Sequence, residues 1–245
     1  MRLVLVLIFF LSALAVNGSA QISLFIAGDS TAANKADNKR PETGWGEMMQ
    51  QYFDPAKVKI VNEAQNGRST KTFISEGRWQ SIVDRLKNDD WVFVQFGHND
   101  ESKDKGERYT PPEDFRKNLE RFVTDVRAKK AHVVLLTPVR RRKFDKDHKL
   151  VDTHGEYPDI TRAVARSLKV PLIDMHEKTG KLLTTYGDEP SRTLFLQVKA
   201  GESPNYPNGV EDNTHFNPKG AGEVAKLVIE GIRENKLALR KYLKK

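Results

Sequence analysis

The sequence predicts one α/β domain with a parallel sheet carrying helices on both faces, and three observations lead there. Short apolar, β-branched runs bounded by polar or turn residues recur along the chain, as strands buried on both faces do. Longer segments with helical spacing separate them, so successive strands connect by right-handed crossovers through helices. No repeat, low-complexity tract or linker divides the chain after residue 20, and 245 residues suit a single domain.

The first segment is set apart from that domain. Met1-Arg2 precedes an apolar stretch from Leu3 to Val16, and Gly18 and Ala20 supply small residues behind it. A charged start, a short apolar region and a small-residue cleavage site predict a signal peptide over residues 1–20 and a domain over 21–245. The apolar part is too short to span a bilayer, and no cysteine follows to take a lipid, so no stable membrane anchor is expected. The protein is therefore expected to be exported, to the periplasm or the medium.

Predicted strands are Ile22–Ala27, Val58–Val61, Val92–Phe96, Val133–Leu136 and Leu172–Ile173. Helices are predicted near Trp45–Tyr52, Trp79–Leu86, Ile160–Leu168, Met175–Leu183 and Pro218–Arg233. The clearest apolar stripe is Phe115, Leu119, Phe122, Val123 and Val126, and Pro111-Pro112-Glu113-Asp114 suits the first turn of that helix. Long loops remain near 97–112, 138–155 and 187–217, and loops of that length in a compact domain commonly carry function.

Composition excludes several classes. With 38% hydrophobic and 30% charged residues the chain is neither disordered nor membrane-embedded, and without cysteine it must be stabilised by packing rather than by disulfides. The formal charge of +8 falls to +7 once Arg2 is removed with the leader. Arg140-Arg141-Arg142-Lys143 and Lys244-Lys245 read either as solvated faces or as sites for a polyanion, for which an acidic polysaccharide suits an exported protein better than nucleic acid. No nucleic-acid recognition motif occurs.

In a parallel α/β sheet the ligand crevice lies beyond the carboxyl ends of the strands, so groups just past different strands converge there. Gly28-Asp29-Ser30-Thr31 follows the first strand; alone it is an ordinary turn and cap. A serine hydroxyl becomes a nucleophile only beside a base, and its oxyanion needs preset donors. Asn66-Gly67-Arg68-Ser69 follows the second strand, where Gly67 either makes a turn or aims its N–H into the crevice. Phe96-Gly97-His98-Asn99-Asp100 follows the third, where Asn99 can donate an amide hydrogen. Asp212-Asn213-Thr214-His215 precedes the last helix, and an Asp three residues before a His in a turn can fix its tautomer. His176, beside Asp174, is the rival base. His98, His148 and His154 match no metal-binding spacing, and no catalytic metal is expected.

Gly28-Asp29-Ser30, Gly67, Gly97-His98-Asn99-Asp100 and Asp212-x-x-His215 resemble, in order, the four blocks of the SGNH, or GDSL-like, hydrolase superfamily. Gly44-Trp45-Gly46-Glu47, Asn66-Gly67-Arg68-Ser69 and Glu76-Gly77-Arg78-Trp79 are most similar to rhamnogalacturonan acetylesterases. The resemblance implies a three-layer α/β/α sandwich with a five-stranded parallel sheet, of the flavodoxin-like kind. It implies Ser30 as nucleophile, His215 as general base and acid, Asp212 as its orienter, an oxyanion hole from Ser30, Gly67 and Asn99, and no cofactor. It implies a serine esterase, a secreted enzyme of pectin degradation that deacetylates an acidic polysaccharide. The alternatives are an esterase of another acetylated glycan such as xylan, or of lipids, and a non-catalytic glycan-binding relative.

Overall fold

The computed structural model of the protein describes residues 21–244; the expected leader over 1–20 lies outside the described residues. Five strands, β1 (Ile22–Gly28), β2 (Val58–Asn62), β3 (Trp91–Gln95), β4 (His132–Leu136) and β5 (Leu172–Ile173), form one parallel sheet in the order β2-β1-β3-β4-β5. The chain steps from β1 outward to β2 and then returns to the other side of β1, so the order reverses beside β1. That reversal opens a crevice at the carboxyl ends of β1 and β3.

Alternation along the strands makes two cores. Leu24, Ile26, Trp91, Phe93, Val134 and Leu136 face one side, where they meet Ala221, Val224, Ala225, Val228, Ile229 and Ile232 of helix α7 (Pro218–Glu234). Phe25, Ala27, Val92, Val94, Val133 and Leu135 face the other, against α2 (Arg78–Arg85), α3 (Pro112–Ala128) and α4 (Tyr157–Ser167). The predicted stripe of α3 is buried throughout, with Pro111 at its N-cap and Glu113 and Asp114 in its first turn. The remaining helices are α1 (Thr70–Ser75), α5 (Met175–Tyr186) and α6 (Asp188–Ser191). This is the three-layer α/β sandwich expected from the sequence.

Two segments depart from expectation. Trp45–Tyr52 is not an α-helix but two tight 3-10 turns, Trp45–Met48 and Gln50–Tyr52. Glu47 turns back to accept the Gly44 N–H at 2.9 Å and caps the first turn, while the Trp45 and Gly46 N–H groups donate to Thr31 O at 3.0 Å and Ala32 O at 3.2 Å and tie the segment to the loop after β1. The expected loop 187–217 contains an antiparallel hairpin, β6 (Phe195–Val198) with β7 (Val210–Phe216). The irregular stretch 201–209 is only its tip.

The hairpin matters because β7 feeds α7. Asn217 caps that helix, accepting the Gly220 N–H at 3.0 Å while its own amide donates to Thr193 O and Phe195 O. A Cβ at Gly220 would stand 1.8 Å from Leu194 O, so only glycine lets the helix start press against the hairpin's entry. The residues immediately before Asn217 are thereby held at the sheet's carboxyl edge.

Candidate active site

Ser30 sits at the tip of a turn built by its predecessor. The Asp29 carboxylate accepts from Thr31 N at 2.9 Å and Thr31 Oγ1 at 2.7 Å, and the Asp29 carbonyl accepts from Ala32 N and Ala33 N. Gln95, at the end of β3, donates to Asp29 Oδ2 at 3.2 Å and accepts from Trp45 Nε1 at 2.7 Å. Burial alone would raise the Asp29 carboxyl; the His98 ring at 3.4 Å and the Thr31 donors outweigh it and hold it at about 2. A buried anion satisfied on several sides is a rigid base for the turn.

His215 arrives from β7, 185 positions away in the chain, and its Nε2 stands 2.9 Å from Ser30 Oγ. Its Nδ1 stands 2.7 Å from Asp212 Oδ2, while Asp212 Oδ1 accepts from the backbone N–H groups of Thr214 at 2.6 Å and His215 at 2.9 Å. The three-residue spacing read from the sequence thus closes a local ring of hydrogen bonds, although it lies at the end of a strand and not in a free turn. Burial again works to raise the Asp212 carboxyl, and the His215 hydrogen bond and charge, with the two backbone donors, overcome it and hold it at about 2. A carboxylate so held keeps the imidazole oriented and balances its charge once protonated.

Three candidate donors lie on turns that are tied to one another around Ser30. Among the described residues neither the Ser30 N–H nor the Gly67 N–H has an acceptor. Gly67 adopts φ +75°, a left-handed conformation that glycine enters without penalty. Asn99 spends one amide hydrogen on Arg68 O at 3.0 Å, which leaves the other for a ligand. That bond also fixes the Gly67 turn against the Asn99 turn, and a second tie runs from Thr70 N and Oγ1 to Asp100 Oδ1 at 2.9 and 2.6 Å. Asp100 is fully buried with Oδ2 unpartnered, and burial pushes its carboxyl up to about 7 despite the Thr70 bonds.

Lys35 escaped the sequence reading. Its buried ammonium donates to Ser30 O and, at 2.7 Å, to Asn66 Oδ1, with Glu42 at 2.7 Å balancing its charge. The residue before Gly67 and the Ser30 turn therefore share one cation. A lone lysine in a polar stretch carries no sequence signal for such a role.

The basic run at 140–143 proves neither a solvated face nor a polyanion patch at its centre. Arg141 reaches His98 O at 3.2 Å and pairs with Glu101, bracing the turn that carries Asn99. Arg142 is buried; its backbone N–H donates to Asn213 O at 2.8 Å, and its guanidinium holds Asp188, Ser191 Oγ and Asn213 Oδ1. The two arginines thus brace the turn that carries Asn99 and the strand segment between Asp212 and His215. The other histidines are occupied elsewhere: His176 Nε2 lies 3.0 Å from Asp152, His154 Nε2 lies 2.7 Å from Val139 O, and His148 Nδ1 lies 2.8 Å from Asp188.

Taken together, a hydroxyl touches an imidazole backed by a carboxylate, and the turns linked to it offer three N–H bonds with no acceptor. Such a set can take the hydroxyl's proton during attack on a carbonyl and hold the resulting oxyanion.

The chain matches the GDSL-like Lipase/Acylhydrolase family over residues 26–222. It is 45% identical over 222 residues to rhamnogalacturonan acetylesterase RhgT of Bacillus subtilis, covering 91% of this chain and 94% of that protein. It is 39% identical over 217 residues to the probable rhamnogalacturonan acetylesterase YesY of the same organism, covering 88% and 94%. Among solved structures it is similar in fold to protein YXIM of Bacillus subtilis, with TM-score 0.76 and 24% identity over 89% of this chain and 58% of that one. It is also similar in fold to Axe2, an acetylxylan esterase from Geobacillus stearothermophilus, with TM-score 0.59 and 14% identity over 86% and 94%.

Proposed function

The chain belongs to the GDSL-like lipase/acylhydrolase family, and from that premise we propose that it is a secreted esterase removing acetyl groups from a pectic polysaccharide, acting on acetylated galacturonate residues. Its membership and its relatives make it a serine-type carboxylic ester hydrolase, and the two relatives that match nearly end to end are named for rhamnogalacturonan deacetylation. The observation that carries the reading is the Ser30 Oγ to His215 Nε2 distance of 2.9 Å, with Asp212 at 2.7 Å on the far nitrogen.

Ser30 Oγ attacks the acetyl carbonyl while His215 Nε2 takes its proton. The oxyanion forms against the N–H groups of Ser30 and Gly67 and the Asn99 amide. Collapse expels the sugar oxygen, to which His215 returns the proton, leaving an acetyl-serine. Water, deprotonated by His215, attacks that ester, and collapse releases acetate and restores Ser30. Each donor works most strongly on the charged intermediate, which is where stabilisation lowers the barrier.

Acetate release across acetylated pectin, acetylated xylan and lipid esters tests this. Release should be fastest from pectin and should vanish in Ser30→Ala, together with covalent labelling by a serine-directed phosphonate. Labelling that persists in Ser30→Ala, or release confined to xylan or lipid, overturns the reading. Export is supported by the charged start and apolar stretch before Ala20. Recovery of the protein outside the inner membrane with Gln21 as its first residue is the expected result; retention of Met1 refutes it.

A further inference from the structure

With Arg141 and Arg142 committed to the frame, Arg108 is a cation beside Gly67 whose side chain has no partner among the described residues. It closes the turn Lys103–Arg108 between β3 and α3, and its side chain is exposed. A Cβ placed on Gly67 would lie 3.1 Å from Arg108 Cζ and 3.2 Å from both Nη1 and Nη2. Near-equal distances to the three atoms mean that the guanidinium lies with its flat face over the glycine, which leaves its N–H edge uncovered by that contact. Among the described residues no oxygen accepts from that guanidinium and no carboxylate pairs with it; its backbone carbonyl accepts from Thr110 Oγ1 at 3.3 Å. The neighbouring Arg68 is different, since its Nε is held by Glu76 at 3.0 Å. A side chain at position 67 would displace the guanidinium, so the same glycine that frees an N–H for the oxyanion also seats the arginine.

We propose that Arg108 reads substrate charge: its guanidinium takes the carboxylate of an acetylated uronosyl residue in a bidentate pair while the acetyl carbonyl rests at Ser30, Gly67 and Asn99. A uronic acid carries its carboxylate on the same ring as its acetylated hydroxyl, so when the carbonyl oxygen is at Gly67 the carboxylate is within about one sugar ring of it. Arginine's planar fork matches a carboxylate in geometry as well as in charge, which a lysine does not. The inference rests on the acetylesterase reading above and adds to it the residue that selects an acidic over a neutral acetylated sugar.

The test compares wild type, Arg108→Gln and Arg108→Lys on acetylated oligogalacturonide and on the same material after reduction of its carboxyl groups to alcohols. Wild type should prefer the acidic form, and Arg108→Gln should cut the ratio of the two kcat/KM values roughly ten- to a hundredfold, chiefly through KM on the acidic form. Arg108→Lys should restore only part of the ratio. A parallel measurement needs no turnover: binding of unacetylated oligogalacturonide to Ser30→Ala, read by calorimetry, should weaken by a similar factor when Arg108→Gln is added. Wild-type preference that survives intact in Arg108→Gln, or an equal fall on both substrates, overturns the role of Arg108 and leaves the esterase reading standing. Faster wild-type turnover of the reduced form overturns the pectic reading, and the role of Arg108 with it.

Discussion

Asp212 and His215 stand 2.7 Å apart with side chains 26% and 27% exposed, whereas Asp29 and His98 stand 3.4 Å apart with side chains 0% and 3% exposed. Both pairs lie beside Ser30, and both join a carboxylate to an imidazole. In the first, each ring nitrogen is committed, one to the carboxylate and one to the serine hydroxyl. In the second, neither His98 nitrogen makes a good hydrogen bond, and burial pushes its pKa down to about 4 against the pull of Asp29. His98 is therefore neutral at physiological pH and sealed from any substrate, its ring packed edge-on at 4.5 Å from His154. The difference teaches that the residue pair does not define the chemistry. Partial exposure and a hydroxyl within reach turn a carboxylate and an imidazole into a proton shuttle, and full desolvation turns the same two kinds of group into a structural support under the Ser30 turn.

The sharpest way to break this comparison is to disable each pair in turn. His215→Ala and Asp212→Asn should each lower kcat by about 10⁴-fold, while His98→Asn should lower it by less than about tenfold. Steady-state kinetics on an activated acetate ester decides it, and a loss in His98→Asn equal to that in His215→Ala ends the distinction.

Asn99 stands immediately after His98, so the buried pair sits one residue from a proposed oxyanion donor. Asn99→Ala should cost roughly 10²- to 10³-fold in kcat with KM little changed, as expected of a donor that acts on the oxyanion. A loss confined to KM would place Asn99 in substrate binding instead.

The pairs should also differ in how they tie stability to pH. Because the folded protein holds His98 down at about 4, below its usual 6.5, the unfolded chain binds the extra proton first as pH falls. Stability from this group is complete above pH 6.5 and drains as pH drops toward 4, by at most about 1.4 kcal/mol per pH unit. Denaturant titrations across that range should show a shallower slope in His98→Asn than in wild type. An unchanged slope means that His98 is not desolvated in the folded state.

The smallest effect is expected at His176, the rival base by sequence. It is buried and turned to Asp152, so His176→Ala should leave kcat within about threefold of wild type and should not alter its pH profile. A displaced profile would return His176 to the catalytic list.

Much of this was readable from residue order. The strand cores Leu24–Ala27 and Val92–Val94 appear as continuous apolar runs because a parallel sheet covered on both faces tolerates nothing else. The start of α7 was marked by Pro218, and the Asp212–His215 spacing by local hydrogen bonding. The hairpin β6–β7 was missed because its outer residues alternate weakly and its long tip, rich in Gly and Pro, resembles a plain loop. Lys35 was missed because its burial depends on three acceptors, Ser30 O, Glu42 and Asn66 Oδ1, at spacings that match no helical or strand period.

The sequence by itself determined the α/β layering, the three turns that carry Ser30, Gly67 and Asn99, and the local Asp212–His215 bond. These depend on side-chain period, glycine's freedom and contacts across a few residues, which short stretches encode. Only the tertiary structure decided that Ser30 and His215 meet at 2.9 Å, that Arg141 and Arg142 turn inward as braces, and that Arg108 stays free above Gly67. A charge has no fixed role until the fold settles which partners reach it and how much water remains around it, and that sum is taken over residues far apart in the chain.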